Sequence, residues 1–145
     1  MGTLVKFFIL LLFNQLLNAQ SLNPEIVYGQ DITVRVTNIN SNKGKVLVAI
    51  YDSEDSFLNK KFKGTISKIN QNSCEVTFKN VPPGAYAISL FHDENGNGKM
   101  DSNFLGIPKE DYGCSNNAVG TMGPPKWQDA KFEVKNKSIT QTITL

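Results

Sequence analysis

Between His92 and Asp101 the chain reads HDENGNGKMD. Asp93, Asn95, Asn97 and Asp101 carry short oxygen-bearing side chains, and Gly96 and Gly98 free the backbone between them. Oxygen donors at alternate positions suit a hard cation, because calcium takes about six to eight oxygens from carboxylates, amides, carbonyls and water. With Asp93 as loop position 1, Asn95 falls at 3, Asn97 at 5, Gly98 at 6, Lys99 at 7 and Asp101 at 9. These are the first nine positions of an EF-hand loop, with Lys99 offering only its backbone carbonyl. The pattern then stops. Position 12 is Phe104, not a bidentate glutamate, and the flanks read as a strand and a loop rather than two helices. The expectation is a bare calcium loop at a strand end, completed by water or by Glu110 and Asp111. Only Asp93 and Asp101 bring charge, so the affinity belongs to the weak extracellular range, with a Kd on the order of 0.1–1 mM. A plain turn competes with this reading. Asn95-Gly96 and Asn97-Gly98 are both hairpin-turn signals, and Asp and Asn side chains bond readily to nearby backbone.

Other chemistry is sparse. His92 is the only histidine, no G-x-S-x-G motif occurs, and nothing marks Ser115 or Cys114 as activated. His92 therefore reads as a strand-end residue bonded to the loop. Two distant thiols, Cys74 and Cys114, and one histidine lack the clustered spacing of a zinc site. The two thiols form either a disulfide or a pair of buried, inert groups. Glu110 and Asp111 are adjacent in an extended loop, which points them apart and away from paired acid-base work. Tyr112 and Trp127 lie in loops rich in proline and aromatics. They read either as an exposed platform for a glycan or peptide, or as a cover over the sandwich edge.

The elements that position these residues are strands. DITVRVTNI alternates, with Ile32, Val34 and Val36 on one face. KVLVAIYD is apolar on both faces and suits a central strand. SEDSFLNKKF reads as a polar loop anchored by Phe57 and Phe62. KGTISKI and CEVTFKNV read as strands around NQNS. Pro83 and Gly84 in VPPG fit the two central positions of a type II turn. AYAISLFHD is a long strand that runs straight into the Asp93 loop. From Gly96 to Gln128 no regular structure is expected. AKFEVKN and SITQTITL read as a hairpin around NKS. The sum is an all-β fold: a single Ig-like or transthyretin-like β-sandwich of about seven strands with one long irregular loop.

Residues 1–19 carry one charge, Lys6, then an apolar run from Phe7 to Phe13 that resumes at Leu16, and end on Ala19. This is the order of a secretory signal peptide. The remaining 145 − 19 = 126 residues fit one domain over residues 20–145. The formal charge of +2 becomes +1 without Lys6, with Arg35 the sole arginine. No basic cluster marks a phosphate-backbone surface, so nucleic acid is not an expected partner. No second long apolar run implies a membrane span after leader removal.

Three stretches carry a family resemblance: GKVLVAIYD, VPPGAYAISLFHDENGNGKMDSNFLGIPKEDYGCSNNA and PPKWQDAKFEV. Together they resemble the family catalogued as domain of unknown function 2141, small secreted bacterial proteins, from about Asp31 to Leu145. The resemblance implies an exported β-sandwich and supplies no activity. The sequence-level expectation is thus a secreted or periplasmic, non-enzymatic module with a structural or adhesive role at the cell envelope. Its weakly bound calcium would order the Asp93 loop, and its partner would be an envelope protein or glycan. The alternative is a glycan- or peptide-binding module centred on Tyr112 and Trp127.

Overall fold

A computed structural model describes residues 28–145; the expected leader over residues 1–19 lies outside the described residues. The chain forms β1 (Gln30–Thr37), β2 (Lys45–Tyr51), β3 (Lys63–Ser67), β4 (Cys74–Val81) and β5 (Gly84–Asp93). Then follow β6 (Tyr112–Cys114), a 3-10 turn (Ser115–Asn117), the one-turn helix α1 (Trp127–Ala130), β7 (Phe132–Val134) and β8 (Ile139–Thr144). One sheet has the order β4-β1-β8. The other has the order β3-β2-β5-β6, with β7 also pairing β5. The fold is a β-sandwich, with eight strands where about seven were expected.

Alternation in β1 and β5 builds the core. Ile32, Val34 and Val36 from β1 meet Val46, Val48 and Ile50 from β2 and Tyr86, Ile88 and Leu90 from β5. Each fully buried aliphatic side chain contributes about 1.5–3 kcal/mol. A second, smaller core lies against Ala87 and Tyr51, formed by Cys114, Trp127 and Ala130 with Phe57 packed on it. Phe57 sits edge-on to Tyr51 at 5.4 Å and to Trp127 at 5.8 Å between ring centroids. This second core explains why β2 and β5 are apolar at successive positions: the inward residues join the main core, and Tyr51 and Ala87 meet α1. Phe57 is an anchor as expected; Phe62 stays 40% exposed and tilts against Tyr86.

Three local expectations are corrected. Pro83-Gly84 does not form a type II turn, since Gly84 is absent from the positive-φ glycines and begins β5, paired with Val134. The left-handed residue here is Asn80 (φ 53), at a register shift where β4 passes Gln30 and Ile32 of β1. Asn80 N–H donates to Asp31 Oδ1 at 3.2 Å, and Lys79 Nζ lies 2.6 Å from Asp31 Oδ2. AKFEVKN and SITQTITL do not form a hairpin. β7 pairs antiparallel with β5, whereas β8 crosses to the other sheet and runs parallel to β1. Finally, part of the stretch 96–128 is regular: β6 pairs with Ser89–Phe91 and Ser115 fastens it. Ser115 Oγ accepts from Ile88 N–H at 2.9 Å and donates to the Ala130 carbonyl at 2.5 Å.

β8 would offer an open edge, and unpaired edges template aggregation. Asn116 and Asn117, both left-handed (φ 59 and 51), lie along it. Asn117 Oδ1 accepts from Thr144 N–H at 2.9 Å, and Asn116 N–H donates to Gln141 Oε1 at 3.2 Å. The Asn117 side chain thus caps the C-terminal end of this edge, its Nδ2 also reaching the Thr142 carbonyl at 3.5 Å.

Candidate functional site

β5 delivers His92 and Asp93 to the rim of the sandwich, both buried. Asp93 still pairs with Lys45 in the β2–β5 ladder. Its carboxylate is fully buried and serves as the acceptor around which the next residues turn. Oδ1 accepts from Asn97 N–H at 3.0 Å and Oδ2 from Gly98 N–H at 2.8 Å. Lys45 Nζ stands 4.0 Å from Oδ2 and balances the charge. Asn95 Oδ1 also accepts from Asn97 N–H at 3.0 Å, and Asn97 Oδ1 from Lys99 N–H at 2.8 Å. These are the short side-chain-to-backbone bonds that let Asp and Asn replace regular pairing in turns. Gly96 and Gly98 adopt φ 76 and 77.

Asp101 closes the loop. Its carboxylate accepts from Asn95 Nδ2 at 2.6 Å and from Asn97 Nδ2 at 3.0 and 3.2 Å. The structure therefore brings Asp93, Asn95, Asn97 and Asp101 into one hydrogen-bonded group. Glu110 joins it, its Oε2 accepting from Asp101 N–H at 3.0 Å. Asp111 does not: its carboxylate takes the Asn40 amide, while its carbonyl accepts from His92 N–H at 2.9 Å. Lys99 contributes its N–H to the group, and its side chain is exposed. Among the described residues no buried side-chain polar atom lacks a partner, and no group of three or more His, Cys, Asp or Glu stands in metal-holding array. The donor set suits calcium in type: two carboxylates and two amide oxygens around a tight turn. Both asparagine amides present NH2 to Asp101, so a cation would have to turn them over.

His92 behaves as a structural residue. Its Nε2 is 2.8 Å from the Lys43 carbonyl, joining β5 to the turn before β2. Gly44 in that turn (φ 68) packs against the Asp93 carbonyl, leaving no room for a Cβ. Cys74 and Cys114 are free and buried in different cores, so the disulfide alternative is not realised. Burial pushes the Cys114 thiol up to about 11 and raises Cys74 as well.

Tyr112 and Trp127 are separated in role. Trp127 is 7% exposed and belongs to the second core, which agrees with the cover reading and removes it from the alternative binding platform. Tyr112 is 46% exposed and lines a cleft of about 660 Å³. Leu105, Ile107, Met122 and Pro124 line it too, and Cys114 and Gly113 contribute from β6. Sequence reasoning missed these apolar loop residues. Their signal was present: bulky side chains in a glycine- and proline-rich stretch follow no strand or helix period, so no element of their own buries them.

The fold and the rim loop define a class: an all-β sandwich whose longest connection carries a built acid-and-amide turn beside an apolar cleft. The chain belongs to the family described as "Uncharacterized protein conserved in bacteria (DUF2141)", whose model matches residues 34–142. No curated protein and no solved structure matches it.

Proposed function

We infer that the chain is an exported, non-enzymatic β-sandwich module whose rim loop takes calcium through Asp93, Asn95, Asn97, Lys99 and Asp101, with a structural or adhesive role at the cell envelope. The secreted or periplasmic setting rests on the leader pattern of residues 1–19. The observation that supports the calcium reading most is convergence: the side chains of Asp93, Asn95, Asn97 and Asp101, spaced over nine residues, meet around one turn rather than pointing apart. A calcium ion would replace the three amide contacts on Asp101 with oxygen–metal contacts after Asn95 and Asn97 turn over.

The test is thermal unfolding in chelator and in calcium. At a calcium concentration about tenfold above Kd, mass action adds about 1.4 kcal/mol, or roughly 4–7 °C for a domain of this size. Asp101→Ala should remove the gain while leaving the fold intact, since Asp101 is only half-buried. Superimposable wild-type curves in chelator and millimolar calcium would refute the reading.

A second reading, a glycan- or peptide-binding module, is favoured by the Tyr112 cleft. Trp127 takes no part in it. Loss of binding in Tyr112→Ala, for a ligand retained from a glycan or peptide screen, is its measurement.

A further inference from the structure

We propose that the rim loop modifies itself at a single residue: Asn95 deamidates through attack by the Gly96 nitrogen, giving aspartate and isoaspartate, while Asn97 in the same loop is protected by Asp93. The loop holds two Asn-Gly pairs, Asn95-Gly96 and Asn97-Gly98, and all four residues are exposed. As sequence the two pairs are equivalent. Their surroundings separate them.

Most of those surroundings are shared. Asn95 Oδ1 accepts from Asn97 N–H at 3.0 Å, and Asn97 Oδ1 accepts from Lys99 N–H at 2.8 Å. Each bond closes a ring of atoms that contains the nitrogen of the intervening glycine. The side-chain carbonyl is thereby folded back over its own next peptide. The donated N–H also polarises that carbonyl and steadies the negative charge that attack places on its oxygen. Asp101 accepts from both amides, at 2.6 Å from Asn95 Nδ2 and at 3.0 and 3.2 Å from Asn97 Nδ2. Gly96 and Gly98 have φ 76 and 77, and open space lies where a Cβ would stand, so neither nitrogen is shielded.

The two glycine nitrogens differ in one respect. Gly98 N–H donates to the buried Asp93 carboxylate at 2.8 Å. Gly96 N–H has no protein partner among the described residues and is left to water. Attack requires the glycine N–H to give its proton to a solvent base. At Gly98 that proton lies in a charge-assisted bond, and freeing it slows attack at least about tenfold. The chemistry balances with water as the sole co-reactant. The Gly96 nitrogen bonds to Asn95 Cγ, the Cγ–Nδ2 bond breaks, and ammonia leaves carrying a proton returned through solvent. Water then opens the cyclic imide at either carbonyl, to aspartate or to isoaspartate, with no change in oxidation state. The product sets a carboxylate against Asp101 where an amide donor stood at 2.6 Å. Attraction becomes repulsion, and the turn loosens. No metal enters the step, so it stands or falls apart from calcium binding.

The experiment incubates the purified, folded protein in chelator at neutral pH and samples it over weeks by mass-spectrometric peptide mapping, with isoaspartate read by methyltransferase labelling. The same chain in denaturant is the reference, where the two asparagines should react at similar rates. In the folded protein Asn95 should convert at least about tenfold faster than Asn97. Asp93→Ala, shown to be folded by circular dichroism, should remove that difference by freeing Gly98 N–H. The converted wild type, separated by ion exchange, should show faster amide exchange at Asn97. Equal rates at the two asparagines in the folded wild type overturn the proposal. So does a preference for Asn95 that survives in Asp93→Ala, or folding that slows both asparagines by the same factor. Unchanged exchange at Asn97 after conversion overturns the loosening.

Discussion

Removing the Asp93 carboxylate should unfasten the rim loop and cost about 3 kcal/mol. Asp93→Ala deletes two charge-assisted bonds, to Asn97 N–H at 3.0 Å and Gly98 N–H at 2.8 Å. Bonds to charged partners contribute about 1.5–3 kcal/mol each, so the gross loss is about 3–6 kcal/mol. Asn97 and Gly98 are exposed, and water takes over their freed N–H groups, which draws the net figure to the lower end. Lys45 loses its partner at 4.0 Å, but its side chain is one-third exposed, so this adds about 0.5 kcal/mol at most. Asp93→Asn keeps the volume and one acceptor while turning an NH2 toward a backbone donor, and should cost about half as much. Urea unfolding in chelator reads this without any metal contribution. With an m-value of about 1.5–2 kcal/mol/M, the Ala variant's midpoint should fall by roughly 1.5–2 M. Amide exchange at Asn97 and Gly98 should quicken in the same variant. A loss below about 1 kcal/mol, or unchanged exchange at those two amides, would show that the buried carboxylate does not hold the loop.

Further outcomes follow from other parts of the molecule. Gly44→Ala should cost more than about 3 kcal/mol, because its Cβ runs into the backbone of Asp93 and Glu94, whereas Gly96→Ala, left-handed but with open space around it, should cost only about 1–2 kcal/mol; urea unfolding of the pair measures both. In a disulfide-exchange assay near pH 8 the native protein should react very slowly, since burial raises Cys74 and holds Cys114 near 11, and both thiols should titrate once the chain is denatured. Acid should weaken the fold partly through Asp31. The hydrogen bond from Lys79 lowers its pKa below the ordinary 3.8, so its contribution is present above that value and is lost as pH falls through the folded pKa. Melting temperatures below pH 4 should fall less steeply in Asp31→Asn than in wild type. Lys135 works at the other end: its bond with Glu133 raises it above 10.5, so its contribution is present at neutral pH and lost only in strong alkali.

Much was legible in the chain where the cause is local. Ile32, Val34 and Val36 alternate, and all three are buried on one face. β5 is one unbroken strand because eight of its ten residues, from Tyr86 to Asp93, are wholly or partly buried. The Asp93 turn was also legible, because its donors and acceptors lie within nine residues and need only Gly96 and Gly98 to bring them together. Which side chains the loop would pair was less so: Glu110 reaches Asp101, but Asp111 is held by Asn40, 71 residues earlier.

Sequence alone determined the faces of the strands, the membership of the family and the turn after Asp93, since periodicity and short-range hydrogen bonding are set by neighbours along the chain. Tertiary structure decided the rest. β7 and β8 look like a hairpin, yet each pairs with whichever strand edge lies open, β5 in one sheet and β1 in the other. Gly84 has a turn's neighbours and becomes a strand because Val134 is there to pair with it. Trp127 reads either as a platform aromatic or as a cover over the sandwich edge, and it is the cover because Phe57 and Tyr51, some 70 residues away, leave a place for its ring. In each case the deciding partner is distant in sequence, and the energy of its contact is written in no local pattern.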